Sequence, residues 1–548
     1  MTATGLLAAR SPRPLADGRQ ITRHCIQTLP ALERELADGL LASWKGLVLS
    51  DPLASLFQSP GWCLPWYRSY HDEFDPFVVL VMDGSALVGV VPLAVRRATN
   101  EIGFASGTMA DYRDIVAAPG NRESVVHALL RTYLDGRFAN PLLIGWIDPA
   151  SDTPALVAKA CRDLRVRSIS WQQPCYRWTP VEGENLNKKF SRLRTHLNHF
   201  KRAGTVTFDV VASPEDWPAF RDAFFEQHSL RQLQADRPVA FDDPRKRRFY
   251  DRVFDSPLVQ THVTAMRVDD ALLAGHVGFV WRDVLMLGAP SIAIEHEARS
   301  PALILLSWIM QHAPELGLKG LDLTIGDTEF KRRLGNHCVK VTAIEVFGSR
   351  TSYYLRAAKR EATAVAKGLA AAALGRNAWA TRVRPAVQRL AEHASAARTQ
   401  DVVSAVRHAW TAGQVPGQSQ PVRDVTREDL SALESVSSDD VWQVHENRVS
   451  DLLLWTGSDA HTSRAVRECA RSYARRRNAG ATFHTLCAGG RLAAWCFSSR
   501  ADDDGVMTIG SLNSPDHFRG RGADRALLAA VARAGFAAGA TRILVREE

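Results

Sequence analysis

One plan occurs three times in this chain and restricts its fold more than any other feature. VVLVMDGSALVGVVPLAV (Val78–Val95), HVTAMRVDDALLAGHVGFV (His262–Val280) and FHTLCAGGRLAAWCFSS (Phe483–Ser499) share it. Each reads as a strand, a tight turn of Asp-Gly, Asp-Asp or Gly-Gly type, and a returning strand. After each hairpin comes another strand, a loop, an amphipathic helix and a final strand. In the first copy these are Asp111–Ala117, Glu123–Leu134 and Leu142–Ile147. In the second they are Val284–Pro290, Pro301–Leu316 and Leu321–Ile325. In the third they are Val506–Leu512, Ala523–Ala538 and Arg542–Val545. Three such units imply internal repetition and an α/β class with mixed sheets.

The second copy ends in the most polar strand end of the three, LDLTIGDTEFKRRLG (Leu321–Gly335). Leu321, Leu323 and Ile325 alternate with Asp322 and Thr324, which predicts a strand with one buried face. Gly326 suits a sharp turn, and Asp327 or Thr328 can cap the helical turn carrying Lys331, Arg332 and Arg333. Two carboxylates and a lysine therefore gather at the carboxyl end of a strand, where open α/β sheets bind ligands. A solvated strand end with a surface ion pair has the same composition.

Ser59-Pro60, Ser213-Pro214-Glu215-Asp216 and Thr426-Arg427-Glu428-Asp429 are helix-start signals ahead of these units. Trp62, Trp66 and Tyr70 follow the first, and Trp217, Phe220, Phe224 and Phe225 the second; such stripes are expected in the core. Leu186, Phe190, Leu193, Leu197 and Phe200 form one apolar stripe, and Lys188, Lys189, Arg192, Arg194, Lys201 and Arg202 surround it. A one-signed face of this kind suits an anionic partner.

The formal charge of +9 is concentrated rather than spread. Arg350 to Trp410 holds eleven Lys/Arg against three acids, so the remainder is near neutral. That distribution argues against a general nucleic-acid binder and leaves an anionic surface as the natural contact of 350–410. Gly413–Pro421, GQVPGQSQP, reads as a linker. With 548 residues, the expected units are 21–180, 181–350, a basic connector at 351–422, and 423–548. The apolar runs Leu6–Ala9 and Pro301–Pro314 are too short for a signal core and for a membrane span. Eight cysteines lie singly, with no CxxC and no Cys/His metal spacing, so a reducing cytoplasm and no metal are expected.

The hairpin–strand–helix–strand unit resembles the GNAT acetyltransferase (acyl-CoA N-acyltransferase) fold, here as tandem units. Residues from about 50 to 350 resemble the CelD/BcsL-type acetyltransferases of exopolysaccharide synthesis. The matching pieces are FQSPGWCLPW (Phe57–Trp66), VGVVPLAVRR (Val88–Arg97), DYRDIV (Asp111–Val116), KKFSRLRTHLNHFKRAG (Lys188–Gly204) and GDTEFKRRLG (Gly326–Gly335). That family is in turn similar to Fem-type peptidyltransferases. In the third copy, Arg519, Gly520, Arg521, Gly522, Ala523 and Asp524 resemble the GNAT pyrophosphate loop, whose glycines let the backbone approach a diphosphate at a helix start. Asp524 departs from the pattern, which has Gly or Ala there. The second copy has EARSPALILL (Glu297–Leu306) at the same point, without the glycines.

The resemblance implies acyl transfer from acetyl-CoA or another acyl-CoA to an amine or hydroxyl of a small-molecule or saccharide acceptor in cell-envelope metabolism. Asp322 or Asp327 is the expected base and Lys331 the expected anion contact. Asp111, Lys189 and Arg192 are the expected acceptor contacts, and Arg519 to Asp524 the expected CoA loop. An aminoacyl donor, as in the Fem-type enzymes, and a non-catalytic subunit of an exopolysaccharide assembly are the alternatives.

Overall fold

A computed structural model describes residues 21–211, 215–235, 237–374, 422–426, 429, 442–455, 460–515, 518 and 521–546. The linker at 413–421, the connector beyond 374, Ser213-Pro214, Arg427-Glu428, Arg519 and Gly520 lie outside the described residues. The architecture is mixed α/β, with three sheets among the described residues.

The first sheet holds β1 (Ile21–Ile26), β2 (Phe74–Asp83), β3 (Ala86–Arg96) and β4 (Glu101–Phe104) in that order, and β5 (Val116–Ala117) also pairs with β3. The second contains β6 (Leu142–Ile147), β7 (Arg167–Trp178), β8 (Val206–Val211), β9 (Gln260–Val268), β10 (Ala271–Trp281), β11 (Val284–Ile292), β12 (Gly320–Ile325) and β13 (His337–Phe347). Its order is β6-β13-β7-β12-β11-β10-β9-β8. The third contains β14 (Val422–Val425), β15 (Trp442–Glu446), β16 (Thr482–Ala488), β17 (Arg491–Ser498), β18 (Val506–Asn513) and β19 (Arg542–Arg546), ordered β14-β19-β18-β17-β16-β15.

The three hairpins form where the alternation predicts, as β2–β3, β9–β10 and β16–β17. Their turns need left-handed backbone, which Gly84 (φ 60°), Asp269 (φ 51°), Gly489 (φ 54°) and Gly490 (φ 72°) supply. The pairs β11–β12 and β18–β19 are parallel, each bridged by a helix, Pro301–Gln311 and Ala523–Ala537. A parallel pair requires such a crossover.

The first copy departs from the expected plan. Leu142–Ile147 does not close the first sheet but pairs with β13 at the edge of the second. Leu142, Ile144 and Ile147 still face the first unit's core, with Val125, Leu129, Ile344 and Val346 around them. Alternation thus identified the buried face, while the backbone edge went to a different strand. The strand expected over Asp111–Ala117 shrinks to Val116–Ala117. Residues 111–113 instead form a loop held by the Arg113–Gly145 bridge.

The aromatic stripes are core. Trp62 packs edge-on against Phe57, Phe249 and Phe279 at centroid distances of 5.0, 5.0 and 4.8 Å, which joins the first two units in one apolar cluster. Trp217, Phe220, Phe224 and Phe225 enter the same cluster. Removing a ring so enclosed costs about 3–5 kcal/mol. The basic stripe folds as two helices, Leu186–Lys189 and Ser191–Ala203, with Phe190, Leu193 and Phe200 buried.

Candidate active site

β12 is where the second sheet opens. Its parallel pairing with β11 covers Val284↔Gly320, Leu285↔Leu321 and Met286↔Asp322. Beyond that point β11 continues to Ile292 and β12 to Ile325 without further pairing between them. The other edge of β12 pairs with β7, through Asp322↔Arg177 and then, after a register shift, Ile325↔Cys175. The shift coincides with a kink: buried Thr324 sits at φ 62° and Gly326 at φ 117°. Left-handed backbone at a β-branched residue is strained and persists only where its surroundings impose it. Here the kink turns the Thr324 amide back to donate to Asp322 Oδ1 at 2.8 Å.

Asp322 is buried and multiply bonded. The Tyr112 phenol donates to its carboxylate at 2.7–2.8 Å, the Cys175 thiol lies 3.5 Å from Oδ1, and Arg177 Nε is 3.4 Å from Oδ2. Arg177 is also anchored by Asp148, at 2.6 Å. Tyr112 is held in turn through its carbonyl, which accepts from the Gln58 side chain at 2.6 Å. Burial and the Asp322 charge push the Tyr112 phenol well above its usual range and the Cys175 thiol up to about 12. Both therefore stay protonated as donors at neutral pH.

Lys331 is buried, on the short helix Glu329–Leu334. Its ammonium donates to the Ile325 carbonyl at 2.7 Å and to Thr324 Oγ1 at 3.3 Å, clamping the kinked strand end. Burial pulls its pKa down, against the charges of Asp111 and Asp322. Asp111 shows the reciprocal effect. Burial raises its carboxyl to about 6, with Asp322 adding to the rise and Lys331 and Arg113 opposing it. A carboxylate near 6 beside a cation has the basicity of a general base working at neutral pH.

The expected site residues thus divide. Asp111, Asp322 and Lys331 come together, and burial raises the Asp111 carboxyl. Asp327 stands outside the cluster, exposed, accepting from Arg332 at 2.6 Å and from Tyr176 at 2.9 Å. Lys189 is engaged by Glu184 at 2.9 Å and the Leu334 carbonyl at 3.3 Å, and Arg192 is exposed. In the third unit, Gly522 takes φ 80° as the residue before the helix Ala523–Ala537, the Arg521 amide donates to Phe518 at 3.1 Å, and Asp524 lies exposed in the first turn. There β18 and β19 are paired from Val506↔Arg542 to Gly510↔Arg546.

Tyr112, Cys175, Arg177 and Thr324 were not singled out from sequence as site residues. Tyr112 lay within DYRDIV and offered a signal. Cys175 and Arg177 offered none, because nothing local indicates that β7 lies beside β12.

Several solved structures are similar. FemX is 12% identical with a TM-score of 0.42, over 57% of this chain and 98% of its own. The C-terminal domain of a putative lysylphosphatidylglycerol synthetase from Agrobacterium fabrum is 15% identical with a TM-score of 0.39, over 58% and 95%. A tandem GNAT protein from the clavulanic acid biosynthesis pathway is 12% identical with a TM-score of 0.36, over 59% and 98%. No curated protein matches the chain. Asp322, Thr324 and Lys331, though not Asp111, Tyr112, Cys175 or Arg177, fall within residues 187–332, which match the family described as Acetyltransferase (GNAT) domain.

Proposed function

We propose that the chain is an acyltransferase that moves an acyl group from acyl-CoA to an amine or hydroxyl, with its chemistry at the Asp111–Asp322–Lys331 cluster. The observation that carries this reading is the carboxylate of Asp111, raised to about 6 beside buried Lys331 where β11 and β12 separate. In this mechanism Asp111 removes the proton from the acceptor as it attacks the thioester carbonyl; the C–S bond then breaks and CoA leaves as the thiol, taking up the proton that Asp111 gained. Backbone N–H groups along the diverging strands polarise that carbonyl, and Lys331 offsets the developing negative charge. Asp322, held by Tyr112, Arg177 and the Thr324 amide, fixes the strand end and keeps Lys331 and Asp111 in register. Tyr112 and Cys175 are positioning groups.

Acetyl-CoA is the proposed donor, and a saccharide or other cell-envelope amine or hydroxyl the proposed acceptor. Residues 350–410 supply contact with an anionic surface. No described helix is long and apolar enough to cross a membrane. The second unit's lack of a glycine loop at Glu297–Leu306 is the feature that favours an aminoacyl donor instead.

The test is calorimetry of the full chain with acetyl-CoA, CoA and an aminoacyl-tRNA, followed by thiol release from acetyl-CoA with a panel of amines and sugars. Binding of acetyl-CoA, and turnover lost in Asp111→Asn and Lys331→Met at unchanged fold, support the proposal. Binding of aminoacyl-tRNA alone supports the other donor, and binding of neither refutes acyl transfer here.

A further inference from the structure

The third unit gathers a second chemically distinct cluster, independent of the site just described. Its residues come from three elements: His445 on β15, Cys487 on β16, and Asp451 in the 3-10 turn Val449–Leu454. One potential ligand atom from each lies within 4.8 Å of the others. Asp451 is 1% exposed and Cys487 3%, whereas His445 reaches partly into solvent. The two oxygens of Asp451 are used differently. Arg448 Nε sits 3.1 Å from Oδ1, while Oδ2 faces His445 Nδ1 at 2.7 Å and also accepts from the Thr485 hydroxyl. The carboxylate is thus held at Oδ1 by Arg448 and at Oδ2 by Thr485 and the His445 imidazole, with the Cys487 thiol within 4.8 Å of the group.

We propose that His445, Asp451 and Cys487 form a binding site for a zinc-class divalent cation, with the outward side at His445 left for a water or an exogenous ligand. The donor set decides the class. One sulfur, one nitrogen and one oxygen suit a borderline-soft ion such as Zn²⁺, which takes mixed Cys/His/carboxylate ligands in tetrahedral sites. Mg²⁺ and Ca²⁺ require oxygen ligands and are disfavoured by the thiol. Arg448 and Thr485 then act as the outer partners that hold a ligating carboxylate in place.

The balance is simple. The Cys487 S–H bond breaks, its proton leaves for solvent, and the thiolate binds the ion. Without the ion, a neutral His445 carries its single ring proton on Nδ1 and donates it to Asp451 Oδ2. On binding, that proton passes through solvent to Nε2, which leaves the Nδ1 lone pair for the ion with no net proton change at the imidazole. One proton is released per ion, and two negative ligands neutralise the dication. Spacing along the sequence showed no metal pattern because the ligands are brought together by strand pairing, with Gln443 rather than His445 directly opposite Cys487.

The test uses the full chain, stripped with chelator and titrated with Co²⁺, Zn²⁺ and Mg²⁺. One Co²⁺ per chain with a thiolate charge-transfer band, displacement by Zn²⁺, one proton released per ion in calorimetry across two buffers, and no response to Mg²⁺ are expected. Cys487→Ser, which is nearly isosteric and keeps a donor for Asp451, should abolish the band and weaken Zn²⁺ by about 100-fold or more. His445→Ala should weaken it comparably. A folded chain that binds no Co²⁺ overturns the proposal. So does a band that survives Cys487→Ser and disappears in Cys338→Ser, since Cys338 is an exposed thiol.

Discussion

Asp111→Asn should make the protein more stable at neutral pH while abolishing the proposed acyl transfer. The folded carboxyl titrates near 6 against an ordinary 3.8, so burial favours its neutral form. Because the folded pKa is raised, the folded state holds the proton more tightly than the unfolded one. This group's contribution is therefore intact below pH 3.8 and is lost as the pH rises through about 6. A difference of about 2 pKa units corresponds to roughly 3 kcal/mol once both states are ionised. Asp111 keeps part of its surface open to water, which screens the effect, so about 1–2 kcal/mol is expected. Asparagine has the same shape and no charge, so it escapes that cost.

The assay is denaturant unfolding of parent and variant at pH 4, 6 and 8, paired with thiol release from acetyl-CoA. The stability gain should be near zero at pH 4 and full at pH 8. A variant no more stable than the parent at pH 8 would refute the reasoning, because Asp111 would then not be held against its charge. A variant with the gain but parental turnover would keep the electrostatics and remove Asp111 from the chemistry.

Leu323 is fully buried on β12, so Leu323→Ala should cost roughly 2–5 kcal/mol in unfolding experiments, whereas Asp327→Ala, an exposed ion-pair loss, should cost about 1 kcal/mol or less. Burial lowers the pKa of His262 to about 4 and of His276 to about 3, so each contributes stability present above pH 6.5 and lost as the pH falls. Each should add a slope of about 1.4 kcal/mol per pH unit between about 6 and 4.5, and His276→Phe should flatten the measured dependence. If the third unit's loop binds CoA, Asp524→Gly should tighten binding by removing a carboxylate beside the diphosphate and Arg521→Ala should loosen it; equal calorimetric affinities would assign the loop no role.

Local chemistry decided a good deal of this protein. Period-2 alternation and turn residues placed the three hairpins, and the aromatic stripes after Ser59-Pro60 and before Phe225 marked the core, because these depend on neighbours within a few residues. The strand end at Asp322, the glycine turn after it and the polar side chain of Lys331 were readable as chemistry-bearing for the same reason, whereas Asp111 was marked only by the resemblance of DYRDIV. Tertiary structure decided which of them meet. Tyr112 reaches Asp322 across 210 residues, and Cys175 and Arg177 arrive because β7 inserts between β12 and β13. Alternation is identical whichever edge a strand pairs with, so the transfer of Leu142–Ile147 to β13 left no local trace. Likewise Asp327 and Lys331 lie close together in the sequence, yet the first, ahead of the helix, is a solvent-exposed ion pair and the second, within it, is buried against the kinked strand. The kink at Thr324 and the packing of β7 set that difference, and both are properties of the assembled sheet.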